Sequence, residues 1–431
     1  MGLLLIIYLA GAVVQGFRIN LDMRRTDQSA YMDYARGVAT MKSAYVGDRN
    51  RMPVYPFLQS LLYRPGISDD EFFRRGKAFN IGLSVLLLFL TYVLLSRWLD
   101  PLAATATVLV TAFNVFMFKA GYFQCELLFY FLNLVFFVLC IENLRRPNDP
   151  RAALLGLSAG AAYLTKASVL PAIILFLVCY AWGAIVRPDG EPARRGASRL
   201  RSAVPVAVFL LVFLSVVYPY IRTSKHVFGR YFYNVSTTFY PWYDSWEEVE
   251  RGTKAYGDRI GWPRMQTEDL PSARKYWKDH TLSQMTARLG NGIVTVFKVA
   301  WSSYGYLKYA AIYFLFALLF ITQHARHTRE ILFRGRTSAA TIFVILYFAC
   351  YLLFYSWYTP IADGNRLTLS LFLPGLAAIG YFLARVAGRL PVKVAGSRLT
   401  TPGLHRFVIA VLCLDLVFVL PWAITHLSGA D

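Results

Sequence analysis

The run Phe79-Asn80-Ile81-Gly82-Leu83-Ser84-Val85-Leu86-Leu87-Leu88-Phe89-Leu90-Thr91-Tyr92-Val93-Leu94-Leu95-Ser96-Arg97 carries no charge before its last residue. At ~1.5 Å of rise per residue, a helix of this length reaches across the ~30 Å hydrocarbon core of a bilayer. Working outward, comparable apolar blocks recur at 2–21, 102–120, 127–144, 152–165, 167–186, 203–221, 308–325, 339–357, 368–384 and 406–425. In hydrocarbon every backbone N–H and C=O must be satisfied within the chain, which leaves helices for segments of this kind. The chain is 56% hydrophobic and 16% charged, where a soluble domain carries about a quarter charged residues. The fold class is therefore all-α: a polytopic transmembrane bundle of about eleven spans, with helical outer loops.

Lysine and arginine total 45 against 25 acidic residues, a net charge of +20. In a soluble protein that balance would point to nucleic acid. Here the arginines gather in short loops between spans, where they set orientation and meet anionic headgroups, so the expected partners include membrane lipids and no nucleic acid. Cys125, Cys140, Cys179, Cys350 and Cys413 lie in or beside apolar segments without a CxxC pair, as small buried hydrophobes do. His324 and His327 lack an HExxH setting. No metal site of His or Cys and no cofactor is called for, and a divalent cation stays open.

The basic loops fix topology. Arg145, Arg146 and Arg151 mark one; Arg187, Arg194, Arg195, Arg199 and Arg201 a second; Arg326, Arg329, Arg334 and Arg336 a third; Arg385, Arg389, Lys393, Arg398 and Arg406 a fourth. All four belong in the cytoplasm. The chain must then cross twice between 151 and 187, turning near Thr165-Lys166. The weakly apolar stretch 292–301 lies at the interface instead of crossing, and the two long polar stretches, 22–78 and 222–307, face outward. The first span disagrees, since Arg18, Arg24 and Arg25 follow it on the outer side with no basic residue before it. Four loops outweigh one. No signal-peptide pattern is present, and an upstream start is one explanation of the missing charge.

The first outer loop opens Arg24-Arg25-Thr26-Asp27-Gln28-Ser29-Ala30-Tyr31-Met32-Asp33-Tyr34. A helical continuation sets Asp27, Tyr31 and Tyr34 on one face. Asp27 has two uses open: a general base whose pKa an apolar surround lifts, or a helix cap or partner of Arg24 or Arg25. Next comes Gly47-Asp48-Arg49-Asn50-Arg51-Met52-Pro53-Val54-Tyr55-Pro56-Phe57. Its arginines and rings suit a lipid-linked phosphate with Arg51 and Tyr55, and equally an interfacial helix among headgroups. Glu126 enters the fourth span, Lys166 tips the hairpin, and Arg366 follows Pro360-Ile361-Ala362-Asp363-Gly364-Asn365. Charges at such depth need a cavity or a counter-charge. All three fall on the outer side with Asp27. Asp415, inside the last span, has no evident partner. Trp242, Trp246, Trp262 and Trp277 in the second outer loop could roof a cavity and stack sugars, and Asn234-Val235-Ser236 is a glycosylation sequon where a host uses one.

Taken together these residues resemble the polytopic GT-C glycosyltransferases, in the style of protein O-mannosyltransferases and lipid A aminoarabinose transferases. The shared order is an Asp opening the first outer loop, an Arg/Met-Pro-aromatic helix, an acidic residue entering the fourth span, a Gly-rich fifth span ending Leu164-Thr165-Lys166, and a late Gly-x-Arg. It covers 1–190 well and the remainder loosely. It departs where Asp27-Gln28 replaces the common Asp-Glu, and where Met52 stands beside the Pro with Arg51 one place off. The resemblance makes 1–221 a GT-C-like core with its catalytic loop at 22–78, 222–307 a partly helical outer loop, and 308–431 C-terminal spans. It implies Asp27 as catalytic base in an inverting hexosyl or pentosyl transfer. Arg51, Tyr31, Tyr55, Glu126, Lys166 and Arg366 would bind substrate. The donor would be a polyprenyl-phosphate sugar, the acceptor a lipid, glycan or protein, and the place the extracytoplasmic face of the inner or plasma membrane. The alternative, a secondary transporter or lipid flippase, predicts inverted repeats and broken helices at the bilayer midplane. The polar residues gather at one face instead.

Overall fold

In the computed structural model, which describes residues 2–42, 45–185, 197–388, 390–394 and 396–429, the run at 79–97 lies within a 27-residue helix, Asp69–Leu95. Ser68 starts it by accepting the Glu71 N–H at 3.3 Å. Asp69, Asp70 and Glu71 then place negative charge against the positive end of the helix dipole. The helix therefore begins in polar sequence, well before the apolar block that announces it.

Among the described residues, ten helices are long and apolar enough to cross a membrane: Gly2–Ile19, Asp69–Leu95, Pro101–Lys119, Glu126–Arg145, Ala167–Ala184, Ala203–Phe228, Tyr306–Gln323, Arg336–Tyr358, Asn365–Ala387 and Thr401–Phe418. They coincide with ten of the expected spans. The other, expected at 152–165, is the 17-residue helix Asp149–Thr165, capped by Asn148. Glycine takes the place of leucine there because helix Ala197–Phe228 packs against it. A Cβ on Gly156 would come 2.6 Å from the Phe209 carbonyl, and one on Gly160 would come 2.6 Å from Val216. Small residues let backbones approach in just this way inside a bilayer.

The stretch 292–301 belongs to a longer helix, Leu282–Ser302, opened by a reciprocal cap between Thr281 and Gln284. It lies along Arg336–Tyr358. A short antiparallel pair, Val392–Val394 with Ser397–Leu399, folds back in the basic segment that the sequence leaves irregular. Arg187, Arg194, Arg195 and Arg389 lie outside the described residues.

Polar side chains tie several of the helices together. Asn133 on Glu126–Arg145 donates to the Tyr347 hydroxyl at 2.8 Å and to the Ser370 carbonyl at 2.9 Å, tying three helices together. Asp415 has partners after all, in Lys308 and the Tyr309 hydroxyl. Three chemistry-bearing residues share one end of the bundle. Glu126 is the first residue of its helix, Lys166 directly follows Asp149–Thr165, and Arg366 is second in Asn365–Phe382.

Candidate active site

The chain leaves its first span through a turn that is pinned from several sides. Asn20 and Gln28 exchange amide hydrogen bonds at 2.8 and 2.9 Å, Asn20 also donates to the Gly121 carbonyl at 2.9 Å, and Lys77 donates to the Asn20 carbonyl at 2.9 Å. Gln28, where the resembled family has a Glu, thus serves this turn. Asp27 takes the cap position of helix Gln28–Met41, yet its carboxylate caps no backbone N–H. Instead Arg51 donates to Oδ1 at 2.6 Å and Arg366 donates to Oδ2 at 2.8 Å. The two alternatives drawn from Arg24, Arg25 and the cap both give way to this clamp.

Arg51 is held in turn by Asp48. Oδ1 of Asp48 accepts the Asn50 and Arg51 backbone N–H groups at 3.1 Å each, and Oδ2 accepts from the Arg51 guanidinium at 2.7 Å. Its neighbour Arg49 points elsewhere: buried over the Tyr220 ring at 3.8 Å, it donates to the Tyr220 carbonyl at 3.3 Å. Tyr31 lines the cavity beside Arg51, its hydroxyl 3.0 Å from the Cys125 sulfur. Tyr55, expected to contact substrate, is buried and is not among the residues that line the cavity. Its hydroxyl accepts from Gln59 at 2.9 Å and Asn80 at 2.8 Å, and its ring packs edge-on against Tyr31 and Phe123. It supports the cavity wall from behind.

Across from Asp27, Lys166 Nζ lies 3.5 Å from Glu126 Oε1. A cavity of about 330 Å³ joins these groups; Asp27, Tyr31, Arg51, Glu126, Lys166 and Arg366 all line it. Its other wall comes from the segment 222–307 and includes Asn234, Tyr240, Trp246, Lys254 and Arg259. Of the four tryptophans expected as a roof, only Trp246 does this, with Lys254 above its ring. Trp262 packs on Tyr233 and Phe239, Trp242 packs on Tyr276, and Trp277 is exposed. Asn234 of the sequon is buried and caps Val235–Thr238, which leaves no room for a glycan on it. Lys254, Arg259 and Tyr240 carry no periodicity or motif that would single them out in sequence.

The electrostatics differ in sign from an apolar pocket. Burial would raise the Asp27 carboxyl, but the charges of Arg51 and Arg366 and the hydrogen bonds they donate outweigh it, holding the group well below the usual carboxylate range. About a third of the Asp27 side chain stays accessible (34%) against 7% for Arg51, so the carboxylate meets the cavity while the guanidinium is locked behind it. Burial pushes the Cys125 thiol up to about 12, so it serves as a neutral partner to Tyr31. Among the described residues no three His, Cys, Asp or Glu side chains gather as a metal site would require. The two carboxylates are the groups a divalent cation would meet, and each already faces a basic side chain.

No family model matches the chain, and no curated protein matches it by sequence. Solved structures do. The archaeal oligosaccharyltransferase AglB from Archaeoglobus fulgidus, in complex with an inhibitory peptide and a dolichol-phosphate, superposes at TM-score 0.50 with 14% identity over 99% of this chain. The chain shares its fold with this oligosaccharyltransferase. The chain spans 56% of AglB's length. The same oligosaccharyltransferase tethered to an acceptor peptide gives TM-score 0.47 at 15% identity, covering 99% of this chain and 55% of that one. ArnT from Cupriavidus metallidurans, bound to undecaprenyl phosphate, gives 0.34 at 15%, covering 93% and 84%. At these identities the likeness concerns the fold.

Proposed function

We propose that this membrane protein transfers a sugar from a polyprenyl-phosphate donor to an acceptor at its extracytoplasmic face, with inversion at the anomeric carbon. The observation that carries the proposal is the clamp: Arg51 and Arg366 each hold one oxygen of a single small anion, Asp27, and all three line the same cavity. Guanidinium pairs set this way suit a phosphate, which offers them more oxygens than a carboxylate does. Lys166 adds a third positive charge in the same cavity. The dolichol-phosphate in the AglB complex, which shares this fold, supports a lipid-linked phosphate here.

The arrangement serves transfer in three ways. The arginines and Lys166 stabilise the charge that grows on the phosphate oxygen as the C1–O bond breaks. Asp27 sets the separation of the two guanidiniums. Trp246 offers a ring face to the sugar, and Lys254 and Arg259 offer donors beside it. A transporter site belongs near the midplane, whereas Glu126, Lys166 and Arg366 all stand at helix ends.

The test is transfer in proteoliposomes supplied with a panel of radiolabelled polyprenyl-phosphate hexoses and pentoses and a membrane extract as acceptor source. Wild type should label an acceptor from at least one donor. Asp27→Asn should lower that rate by about 100-fold or more while the protein stays folded. Labelling from no donor, or D27N running at the wild-type rate, would refute the assignment.

A further inference from the structure

Two carboxylates face the cavity, and they are not equally free. Both oxygens of Asp27 are engaged, by Arg51 at 2.6 Å and Arg366 at 2.8 Å. Glu126 is 4% exposed; its Oε1 lies 3.5 Å from Lys166, and its Oε2 is buried without a hydrogen-bond partner. A buried carboxylate oxygen left without a donor is rare and costly. Glu126 tolerates it at the first position of helix Glu126–Arg145, where the helix dipole and Lys166 both favour negative charge. No donor in the resting protein reaches the lone pairs of Oε2.

From this geometry we infer that Glu126, and not Asp27, takes the proton from the acceptor, an inference that rests on the transfer reaction proposed above. The hydrogen of the acceptor O–H or N–H passes to Oε2 of Glu126 as the acceptor's lone pair forms the bond to the anomeric carbon. The C1–O bond to phosphate breaks, its electron pair stays on the polyprenyl phosphate, and Arg51 and Arg366 hold the new charge. Glu126 then returns its proton to water through the cavity mouth. Glu126 is thereby a catalytic residue, and Asp27 a positioning residue for two arginines.

The groups that face Glu126 are Cys125 and Tyr130 from its own segment, Tyr31 from Gln28–Met41, Tyr55 from Val54–Ser60, Lys166 after Asp149–Thr165, Arg366 from Asn365–Phe382, and Asp27. Of these only Asp27 is a carboxylate, and the arginines hold it ionised far into acid. Loss of an acid limb in turnover on replacing Glu126 therefore separates its role from that of Asp27, whose carboxylate the arginines already hold ionised.

The experiment measures single-turnover rate against pH, and binding of polyprenyl phosphate alone, for wild type, Glu126→Gln, Glu126→Asp, Glu126→Ala, Asp27→Asn and Asp27→Ala in proteoliposomes. Expected results are polyprenyl-phosphate affinity within about threefold of wild type for E126Q, turnover down by about 10²–10⁴-fold without the acid limb, and partial recovery in E126D. Formate should restore part of the rate to E126A and none to D27A, while D27N, though slow, keeps the limb. An acid limb retained in E126Q, or formate rescuing D27A and not E126A, would give the proton to Asp27 and overturn the inference. Wild type transferring from a donor while E126Q matches its rate sinks the Glu126 role alone. Wild type using no polyprenyl-phosphate donor sinks the function and this role with it. Should E126Q fail to fold, E126D and the formate series decide.

Discussion

Arg49 and Arg51 stand two positions apart and do different work, so they make a paired test. Arg51 donates to Asp27 and Asp48 at the cavity, whereas Arg49 lies buried over Tyr220. On the function proposed above, Arg51→Ala removes a charge-assisted partner of the phosphate, worth ~1.5–3 kcal/mol, and should weaken polyprenyl-phosphate binding by about 10- to 100-fold. Arg49→Ala should lower the unfolding temperature by several degrees and leave that affinity nearly unchanged. Equilibrium binding and thermal unfolding of the two variants separate the roles; equal losses of affinity would contradict the division. The Asp27 clamp also has a pH signature. Its folded-state pKa is depressed, so its stabilising contribution is complete above the unfolded carboxylate value, ~3.9, and disappears as pH falls through the depressed value. The difference in unfolding temperature between wild type and D27N should hence stay constant from about pH 5 to 8. A difference that fades within that interval would mean that the arginines do not hold the carboxylate as described.

At the scale of elements, close helix contacts place the site, and glycine marks where they occur. Helix Leu282–Ser302 can lie on Arg336–Tyr358 because a Cβ on Gly292 would meet the Ser356 carbonyl oxygen at 1.8 Å. The same helix carries Arg288, which donates to the Trp357 carbonyl at 3.0 Å and to Asp244 at 2.9 Å, joining the segment 222–307 to the end of the membrane helix. Gly292→Val should push the two helices apart, costing ~1–3 kcal/mol or more, lower the unfolding temperature, and loosen the chain leading to Arg366. Thermal unfolding with polyprenyl-phosphate binding would show both losses, and a wild-type curve would rule the contact out. This contact was not legible in the sequence, where 292–301 shows only weak hydropathy interrupted by Lys298. The apolar blocks gave the spans because a bilayer demands an uninterrupted period of side chains over ~20 residues. Helix starts were harder: Asp69–Leu95 begins with three acidic residues that hydropathy discards and capping explains. The short helix Asp149–Thr165 was legible only through topology, since its glycines serve packing and dilute its apolar signal.

At the scale of the molecule, the residues that converge on the cavity come from positions as far apart as Asp27 and Arg366, and charge at span ends was the signal that linked them. Asp27, Glu126, Lys166 and Arg366 were visible because ionisable groups beside apolar blocks need a reason to be there, and Arg51 because it adjoins a Pro-fixed aromatic segment. Lys254, Arg259 and Tyr240 were hidden, since polar residues in a watery segment need none. That convergence presumes a topology, which the chain allows to be counted. Between Ile260, which is 79% exposed, and Ser397 in the short β pair lie the membrane helices Tyr306–Gln323, Arg336–Tyr358 and Asn365–Ala387. Three crossings put Ile260 and Ser397 on opposite sides of the membrane. Helix Leu282–Ser302 would add a fourth if it crossed, and both positions would then share a side. The exposed Lys298 and the Arg288–Asp244 pair along it argue for an interfacial position, the reading to be tested. Ile260→Cys should therefore react with a membrane-impermeant maleimide in intact cells, and Ser397→Cys only after the membrane is opened, with wild type setting the background. Labelling of both in intact cells would make Leu282–Ser302 a true span and separate the wall formed by Trp246, Lys254 and Arg259 from the Asp27 clamp it is meant to face.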